Sequence, residues 1–548
     1  MRNEEQVTKI WRKYQKCKDY LDKKALVRKT NQNWNFYIGN QWEGLESGGE
    51  QMPVLNFIEP TIKYKVSVVS QNSMTAVYSD LSGKKDTQQA CEVLNKLFTE
   101  SWDKAKMNAT AWETIEAAAV QGDSYVYWGG DCDSKVPPQV LPNTTVLLAD
   151  ENITDIQKQP YILIVERLDV KNIRKIAEEN RISKDDLEAI TSDDNKDLQI
   201  ANKDEVTDKV TSILHMRKNK DGYVEVTRST RGVIYEPPHV IQATNGEGEH
   251  MGIGLKSYPI VPFIWKKMPN TARGVSEVGQ LIPNQIEVNK TIARRSMTVK
   301  MTAYPRIAYD GSAIQNPEDL DKTGAPIEVN GGAQSVNQMI SYLSAANISS
   351  DADKLLSDLL TMSRELAGAG DYATGNVNPE QASGQAIMAV RDTAQIPLNK
   401  QIQSYQQFVE DCALMFFDMW IAFNPNGLVY NGQLGNEDDM TPAQEPQETV
   451  IPIEVLEQIR PSVRVDVSQD NAWSKMSEQQ WVDNMFRQKQ ITFEEYVELC
   501  NSNAVPKGKL QAILQKRKQQ AMMQQQMMQE QMQGQLPDEP MPEEFIGE

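Results

Sequence analysis

The sequence predicts an α+β fold, and three observations predict it. Residues 398–419 carry Leu398, Ile402, Tyr405, Val409, Cys412, Phe416 and Met419 in a strict 4-3-4-3 alternation. That spacing puts all seven on one stripe of a long helix. Short runs rich in β-branched and aromatic residues, such as 124–128, 161–165 and 463–467, read as strands. The strands gather mainly between about 124 and 265, with long helical patterns on either side, as expected where helices and antiparallel strands segregate.

The elements follow in order. Residues 4–25 form an amphipathic helix with Val7, Ile10, Tyr14, Cys17 and Leu21 on one face. About three heptads are too few for a free coiled coil, so this face is expected in the core. Trp34, Phe36, Tyr37 and Trp42 surround Gly39 and read as core and turn, since little basic charge is interleaved for stacking bases. Helices are expected over 57–72 and 86–121, the second running through Trp112, Ile115, Ala119 and Val120 to stop at Gly122. Strands follow at 124–128, 139–141 and 161–165, then a helix over 170–190. Antiparallel strands are expected at 210–217, 222–228 and 232–242, with Lys220-Asp221-Gly222 as a turn. Tyr258 to Trp265 is an extended apolar run.

A loop from Met268 to Arg273 then leads into a helix from Gly274 to Thr302, which at 1.5 Å per residue is roughly 43 Å long. Pro283 is a candidate kink in its first half. Residues 304–345 read as short strands and turns, with strands at Arg306 to Tyr309 and Pro326 to Val329. A helix with Leu355, Leu359 and Leu366 ends at Gly368-Ala369-Gly370, and a polar loop runs on to Ser383-Gly384 before the long striped helix. Beyond it lie an acidic loop around Glu437-Asp438-Asp439, the strand 463–467 and two further helices ending near Cys500. Thr492 and Glu495 form a capping box for the second of these. From about 515 the chain turns Gln/Met-rich, then Pro/Glu-rich, a composition expected to fray into disorder.

The 548 residues leave room for several domains or one large one, and 39% apolar content suffices for a real core. A net charge of −19 argues against a stable sequence-specific DNA binder, which carries a basic face. It does not argue against a passage for DNA, because tight phosphate contacts would brake sliding. Cys17, Cys91, Cys132, Cys412 and Cys500 are scattered, with no C-x-x-C pair, so neither a zinc site nor a disulfide framework is expected. A reducing cytoplasm is the expected setting for folding. The N-terminus lacks an apolar signal region and no run approaches the ~18 apolar residues of a membrane span, so a soluble, non-secreted protein is expected.

No enzyme motif is present. Gly83-Lys84 and Gly508-Lys509 lack the upstream glycine and following hydroxyl of a phosphate loop, and Gly252-Ile253-Gly254 lacks the third glycine of a dinucleotide fingerprint. His215, His239 and His250 are not at ligand spacing and read as turn or strand residues. Asp131 and Asp133 with Asp123 could gather calcium, but the later bidentate glutamate is missing and a solvated turn is the preferred reading. No catalytic, cofactor-binding or metal-binding residue is assigned.

Several stretches, in order, resemble the portal proteins of tailed bacteriophages. Asn35 to Trp42 (NFYIGNQW) is similar to that family's early tyrosine, glycine, glutamine-tryptophan segment, and Leu55 to Ile62 (LNFIEPTI) to the helix start after it. Ile260 to Trp265, then Gly274 to Val278 opening a long helix, resemble the family's approach to its stem. Ser383-Gly384-Gln385-Ala386 is similar to the segment after the tunnel loop. The order and spacing over most of 30–480 carry the likeness; the long Gln/Met-rich C-terminus departs from many portals.

The resemblance implies a portal fold: a mixed α/β wing (1–270), a stem helix (271–302), a small β-containing clip (303–349), a second stem helix (350–367) and a tunnel loop (368–383). Then come the long helix and return to the wing (384–474), a helical crown (475–515) and a tail (516–548). It further implies a dodecameric ring in the virion, at the portal vertex of the capsid, assembled in the host cytoplasm. Double-stranded DNA would pass through non-specifically. Expected partners are the large terminase, which carries the ATPase, the major capsid and scaffolding proteins, and a head-completion adaptor; no membrane is involved. The other readings weighed are a non-ring capsid scaffold or adaptor and, behind it, a metal-dependent nucleic-acid enzyme.

Candidate site residues follow from this assignment. The tunnel loop would use Gly368, Gly370, Asp371, Tyr372, Gly375, Asn378 and Glu380; its only charges are Asp371 and Glu380, so it cannot grip phosphate electrostatically. Asn378-Pro379 is expected to restart the helix. In the stem, Glu277 and Glu287 lie early and Lys290, Arg294, Arg295 and Lys300 late, matching the helix macrodipole. Lys290 and Arg294, one turn apart, are expected in ion pairs between subunits or in a basic ring. In the clip, Arg306, Tyr309 and Glu328 belong to the docking surface for terminase.

Overall fold

The computed structural model describes residues 2–46, 52–71, 73–80, 85–131, 137–200, 205–244, 250–303, 306–309, 311–312, 314–320, 322, 326, 328, 340–343, 350–368, 396–431, 448–459, 461–468, 481–488, 491 and 496. They form a mixed α+β protein, with the strands in small sheets among longer helices. The chain divides into two compact units, one of residues 1–70 and 74–467, the other of 71–73 and 468–548.

The first unit opens with α1 (Arg2–Lys23) and α2 (Leu26–Ile38). Val7, Ile10, Tyr14, Cys17 and Leu21 are all buried, as their spacing predicts. The aromatic cluster is core and turn, as expected: Trp34, Phe36 and Tyr37 belong to α2, with Phe36 and Tyr37 buried, and the helix stops where Gly39 takes a left-handed φ of 90°. After α3 (Ile58–Ser70) and β1 (Ser73–Asp80), the expected single helix over 86–121 is two, α4 (Lys85–Lys104) and α5 (Met107–Gln121). The chain turns at Lys106, whose φ is +53°. A second break divides the helix expected over 170–190 into α6 (Val170–Glu179) and α7 (Lys184–Ala189), with Arg181 at φ +58°. Left-handed lysine and arginine have no sequence signature, because such residues rarely adopt that conformation.

Strands β2 (Asp123–Tyr127) and β3 (Gln139–Pro142) join β11 (Ile260–Ile264) in a three-stranded sheet ordered β11-β2-β3. β4 (Val146–Leu148), β5 (Ile162–Asp169), β6 (Lys209–Lys218), β7 (Val224–Ser229) and β8 (Ile234–Val240) make a five-stranded antiparallel sheet in chain order. Gly222 makes the predicted turn before β7 with φ +85°. Alternation along these strands separates two faces. Leu147, Leu163, Val165 and Ile213 pack with Ile10, Tyr14, Cys17 and Leu21 of α1. Val146, Leu148, Ile162, Ile164, Leu214 and Met216 pack with Tyr125, Tyr127 and Ile260 on the other side. Both faces are covered, so β5 begins with four consecutive buried residues. The small pairs β9 (Ala243–Thr244) and β10 (His250–Met251) follow before β11.

The long helix α8 (Val278–Ala303) starts four residues later than predicted and contains Pro283. Next come β12 (Arg306–Tyr309), β13 (Ile340–Leu343), α9 (Ser350–Leu366) and α10 (Asn399–Phe423). The predicted stripe of α10 is real: Tyr405, Val409, Cys412, Phe416 and Met419 are buried, and Leu398 with them. Phe416 is the hub of the main core, with ring centroids 5.5 Å from Phe98, 6.0 Å from Trp420 and 6.1 Å from Trp128. Tyr78 of β1 donates to the Ala413 carbonyl at 2.7 Å. β14 (Leu428–Asn431), β15 (Glu448–Ile451), α11 (Ile453–Gln458) and β16 (Pro461–Ser468) complete the unit. β16 pairs with β1, returning the chain to its N-terminal part.

In the second unit residues 481–487 are helical, and the Phe486 and Tyr496 ring centroids lie 4.6 Å apart with the rings tilted. The acidic loop at 437–439, the start of the striped helix at 384–395, the capping residues Thr492 and Glu495, and the Gln/Met-rich tail lie outside the described residues.

Candidate functional site

Helix α8 grows from a root of buried charge. Glu277, next to the first residue of α8, accepts from Lys65 and Lys266 at 2.7 Å each and from the Trp265 indole at 3.1 Å. Burial pushes the Glu277 carboxyl up, but the two ammonium groups more than reverse this and hold it down at about 2. The macrodipole reading of Glu277 is therefore corrected: it is a buried ion-pair anchor, not a surface charge.

Four residues earlier, Arg273 is fully enclosed. It makes a two-pronged contact with Glu151, at 2.8 Å through both Nε and Nη2, and reaches Asp123 at 3.3 Å. It also donates to the Asn143 and Val146 carbonyls at 2.8 Å each. Asp123, weighed above as part of a calcium loop, is thus a buried β2 residue engaged by Arg273 and by the Tyr125 hydroxyl at 2.9 Å. Between these charges the backbones of Gly122 and Gly274 nearly touch. A Cβ on Gly274 would lie 2.1 Å from the Gly122 carbonyl oxygen, so only glycine fits.

The first half of α8 is bound to the body by side-chain amides. Gln285 accepts from the Phe57 amide at 3.1 Å and donates to the Leu55 carbonyl at 2.8 Å. Asn289, one turn on, accepts from the Leu55 amide at 3.3 Å and donates to Gln41 at 2.6 Å. Leu281, Ile282 and Val288 are buried beside them. From Lys290 to Lys300 no side chain is buried. Asn284 near the start of α8 donates to Ser363 near the end of α9 at 3.0 Å, so the two helices pack antiparallel.

Lys290 is exposed and pairs with Glu287 of its own helix at 3.0 Å; Arg294 is exposed one turn further on. Uncovered apolar side chains also stand on both helices, Met297 at 47% exposed and Val299 at 52% on α8, Leu355 at 53% and Met362 at 59% on α9.

Beyond the far end of α8, β12 pairs with β13 in the register Arg306↔Leu343 to Tyr309↔Ile340. The strand expected over 326–329 is not the partner: Pro326 and Glu328 lie in no strand. Asn316 explains why, since its side chain accepts from the Glu328 amide at 2.9 Å and donates to the Pro326 carbonyl at 3.0 Å, tying that segment to a turn. Tyr309 and Glu328 are both exposed; the Arg306 side chain lies outside the described residues. Gly368 ends α9 as predicted, with φ +71° and its amide donating to the Glu365 carbonyl at 2.8 Å. Gly370, Asp371, Tyr372, Gly375, Asn378 and Glu380 lie outside the described residues.

Sequence reasoning missed Arg273, Gln285, Asn289 and Asn316. A signal existed for two of them: Gln285 and Asn289 stand at i and i+4 in line with apolar Leu281, so polar groups occupy core positions of an amphipathic helix. Among the described residues no group of three His, Cys, Asp or Glu is arranged to hold a metal ion, and no helix is long and apolar enough to cross a membrane. Compared with known protein families and with curated proteins, the chain matches none.

Proposed function

We propose that this chain is the subunit of a portal-type ring at one capsid vertex, forming the conduit for packaging and ejection of double-stranded DNA. The observation that carries the reading is the antiparallel pair α8 and α9, rooted in buried charge near one end and leading to the β12–β13 pair at the other. Such a pair does mechanical work: it is held firmly where it leaves the body and is uncovered beyond. Single exposed apolar residues are ordinary. Met297, Val299, Leu355 and Met362 are instead gathered on two neighbouring helices. Side-by-side copies of the helix pair would cover them, and a head-to-tail contact of this kind closes into a ring when its rotation allows.

In this reading the segment 303–349 docks the large terminase and later the head-completion adaptor, the body meets capsid and scaffolding proteins, and the loop 368–383 lines the constriction. The chain performs no chemistry of its own. Negative-stain images and the native mass of the purified full chain test the proposal. The expected result is a ring with a central hole and a mass near twelve subunits; a monodisperse monomer or dimer at micromolar concentration, with or without scaffold, overturns it.

A further inference from the structure

The N-terminal helix carries a basic stripe that the net charge of −19 conceals. Lys9, Arg12, Lys13 and Lys16 stand at i, i+3, i+4 and i+7 of α1 and share one face. Together with Tyr161, His215 and Arg217 they line a cleft of about 690 Å³. The strand alternation explains the sheet side: His215 and Arg217 share parity with Ile213, and Tyr161 with Leu163, which face α1. Lys9 is matched by Glu5 at 2.6 Å and Arg217 by Glu225 at 3.0 Å. Arg12, Lys13 and Lys16 have no carboxylate partner among the described residues. Lys13 donates instead to His215 Nε2 at 3.0 Å and lies 4.2 Å from the Tyr161 ring centre. Burial, with Lys13 and Arg217 beside it, lowers the His215 pKa to about 3, so the imidazole stays neutral and offers Lys13 an acceptor without adding charge.

We infer that this cleft binds the phosphodiester backbone of a nucleic acid, a function separate from the ring proposed above and not dependent on it. The three unmatched cations, Arg12, Lys13 and Lys16, stand along about 6 Å of the helix axis. A nucleic-acid strand carries a phosphate about every 3.4 Å of axis, so about three phosphates of one strand match three cations. A half-exposed tyrosine in a cation-lined groove is the combination that tracks a sugar–phosphate chain and stacks on it. The acidity elsewhere does not cancel this, since charges beyond roughly 10 Å are largely screened at moderate salt.

The test is fluorescence anisotropy of the full chain with labelled 20-nucleotide DNA, single-stranded and duplex, at 50 and 200 mM salt. Three phosphate contacts predict a log–log salt slope of about −2.1 for the single strand and −2.7 for the duplex, hence a roughly 20- to 40-fold loss of affinity between these salts. The triple variant Arg12→Gln, Lys13→Gln, Lys16→Gln is expected to weaken binding at 50 mM salt at least tenfold and to flatten the slope. The double variant Arg12→Gln, Lys16→Gln changes only exposed residues and keeps the Lys13–His215 contact; it should lose about two thirds of the slope. Particle mass measured on the same variants should be unchanged, which separates this site from ring assembly. No binding by the parent at 50 mM salt, parent-like binding by the double variant, or displacement of the DNA by poly-glutamate as readily as by unlabelled DNA overturns the inference.

Discussion

At the scale of residues, the charges that matter most are those taken out of water at the root of α8. Arg273 satisfies two carboxylates and two carbonyls in a site closed to solvent. Removing one member of a buried ion pair leaves the other uncompensated. Arg273→Ala is therefore expected to destabilise the protein by about 3–5 kcal/mol, measured by urea unfolding. Glu277 makes a prediction in pH. Its folded-state pKa is depressed to about 2, below the unfolded carboxyl value of about 4.5, so its contribution is complete above the unfolded value and fades as pH falls toward the folded one. The parent should exceed Glu277→Gln by a constant margin above pH ~4.5, and the margin should shrink between pH ~4.5 and ~2. Unfolding midpoints across that range check it; a margin that grows on acidification contradicts the ion-pair account. These residues were not legible in the sequence, because Lys65 meets Glu277 across 212 positions and Arg273 meets Asp123 across 150.

At the scale of elements, the amphipathic patterns were the readable part. The stripe of α10 and the buried face of α1 follow from spacing alone, because a helix turns 100° per residue whatever surrounds it. Where the helices break was not readable, since the turns at Lys106 and Arg181 use left-handed backbone without glycine. Helices α8 and α9 give a prediction of their own. Replacing Met297 and Met362 by Asp should leave the fold of an isolated subunit unchanged, because both side chains are already more than 45% exposed. If the subunits form the proposed ring, it should lower the mass of the assembled particle, read by native mass or light scattering. An unchanged ring in the double variant places the subunit contact elsewhere.

At the scale of the whole molecule, the segment 303–349 is an insert between two helices that pack against each other, far longer than the roughly 2–8 residues that join helices in a bundle. Its length asks for a role beyond connection. Replacing 306–343 by a short flexible linker should keep the circular dichroism spectrum of the first unit and change its unfolding free energy by less than about 1 kcal/mol, since the segment lies past the last buried residue of α8. If the segment docks the large terminase as proposed, that binding should be lost. Undiminished binding would remove this segment from the docking surface.

By itself, the sequence determined the α+β class, the helix faces that enter the core and most strand positions, all consequences of periods of 3.6 and 2 residues that are local to the chain. Only the tertiary structure decided which charges meet. The chain has 57 basic and 76 acidic residues, and spacing says nothing about which of them are brought together once strands pair and helices pack. Folding put Glu277 between two lysines, closed Arg273 over Asp123 and Glu151, and left Arg12, Lys13 and Lys16 facing an open cleft with no carboxylate partner among the described residues. Electrostatic function depends on distance and on exclusion of water, and both are set by where the chain closes on itself.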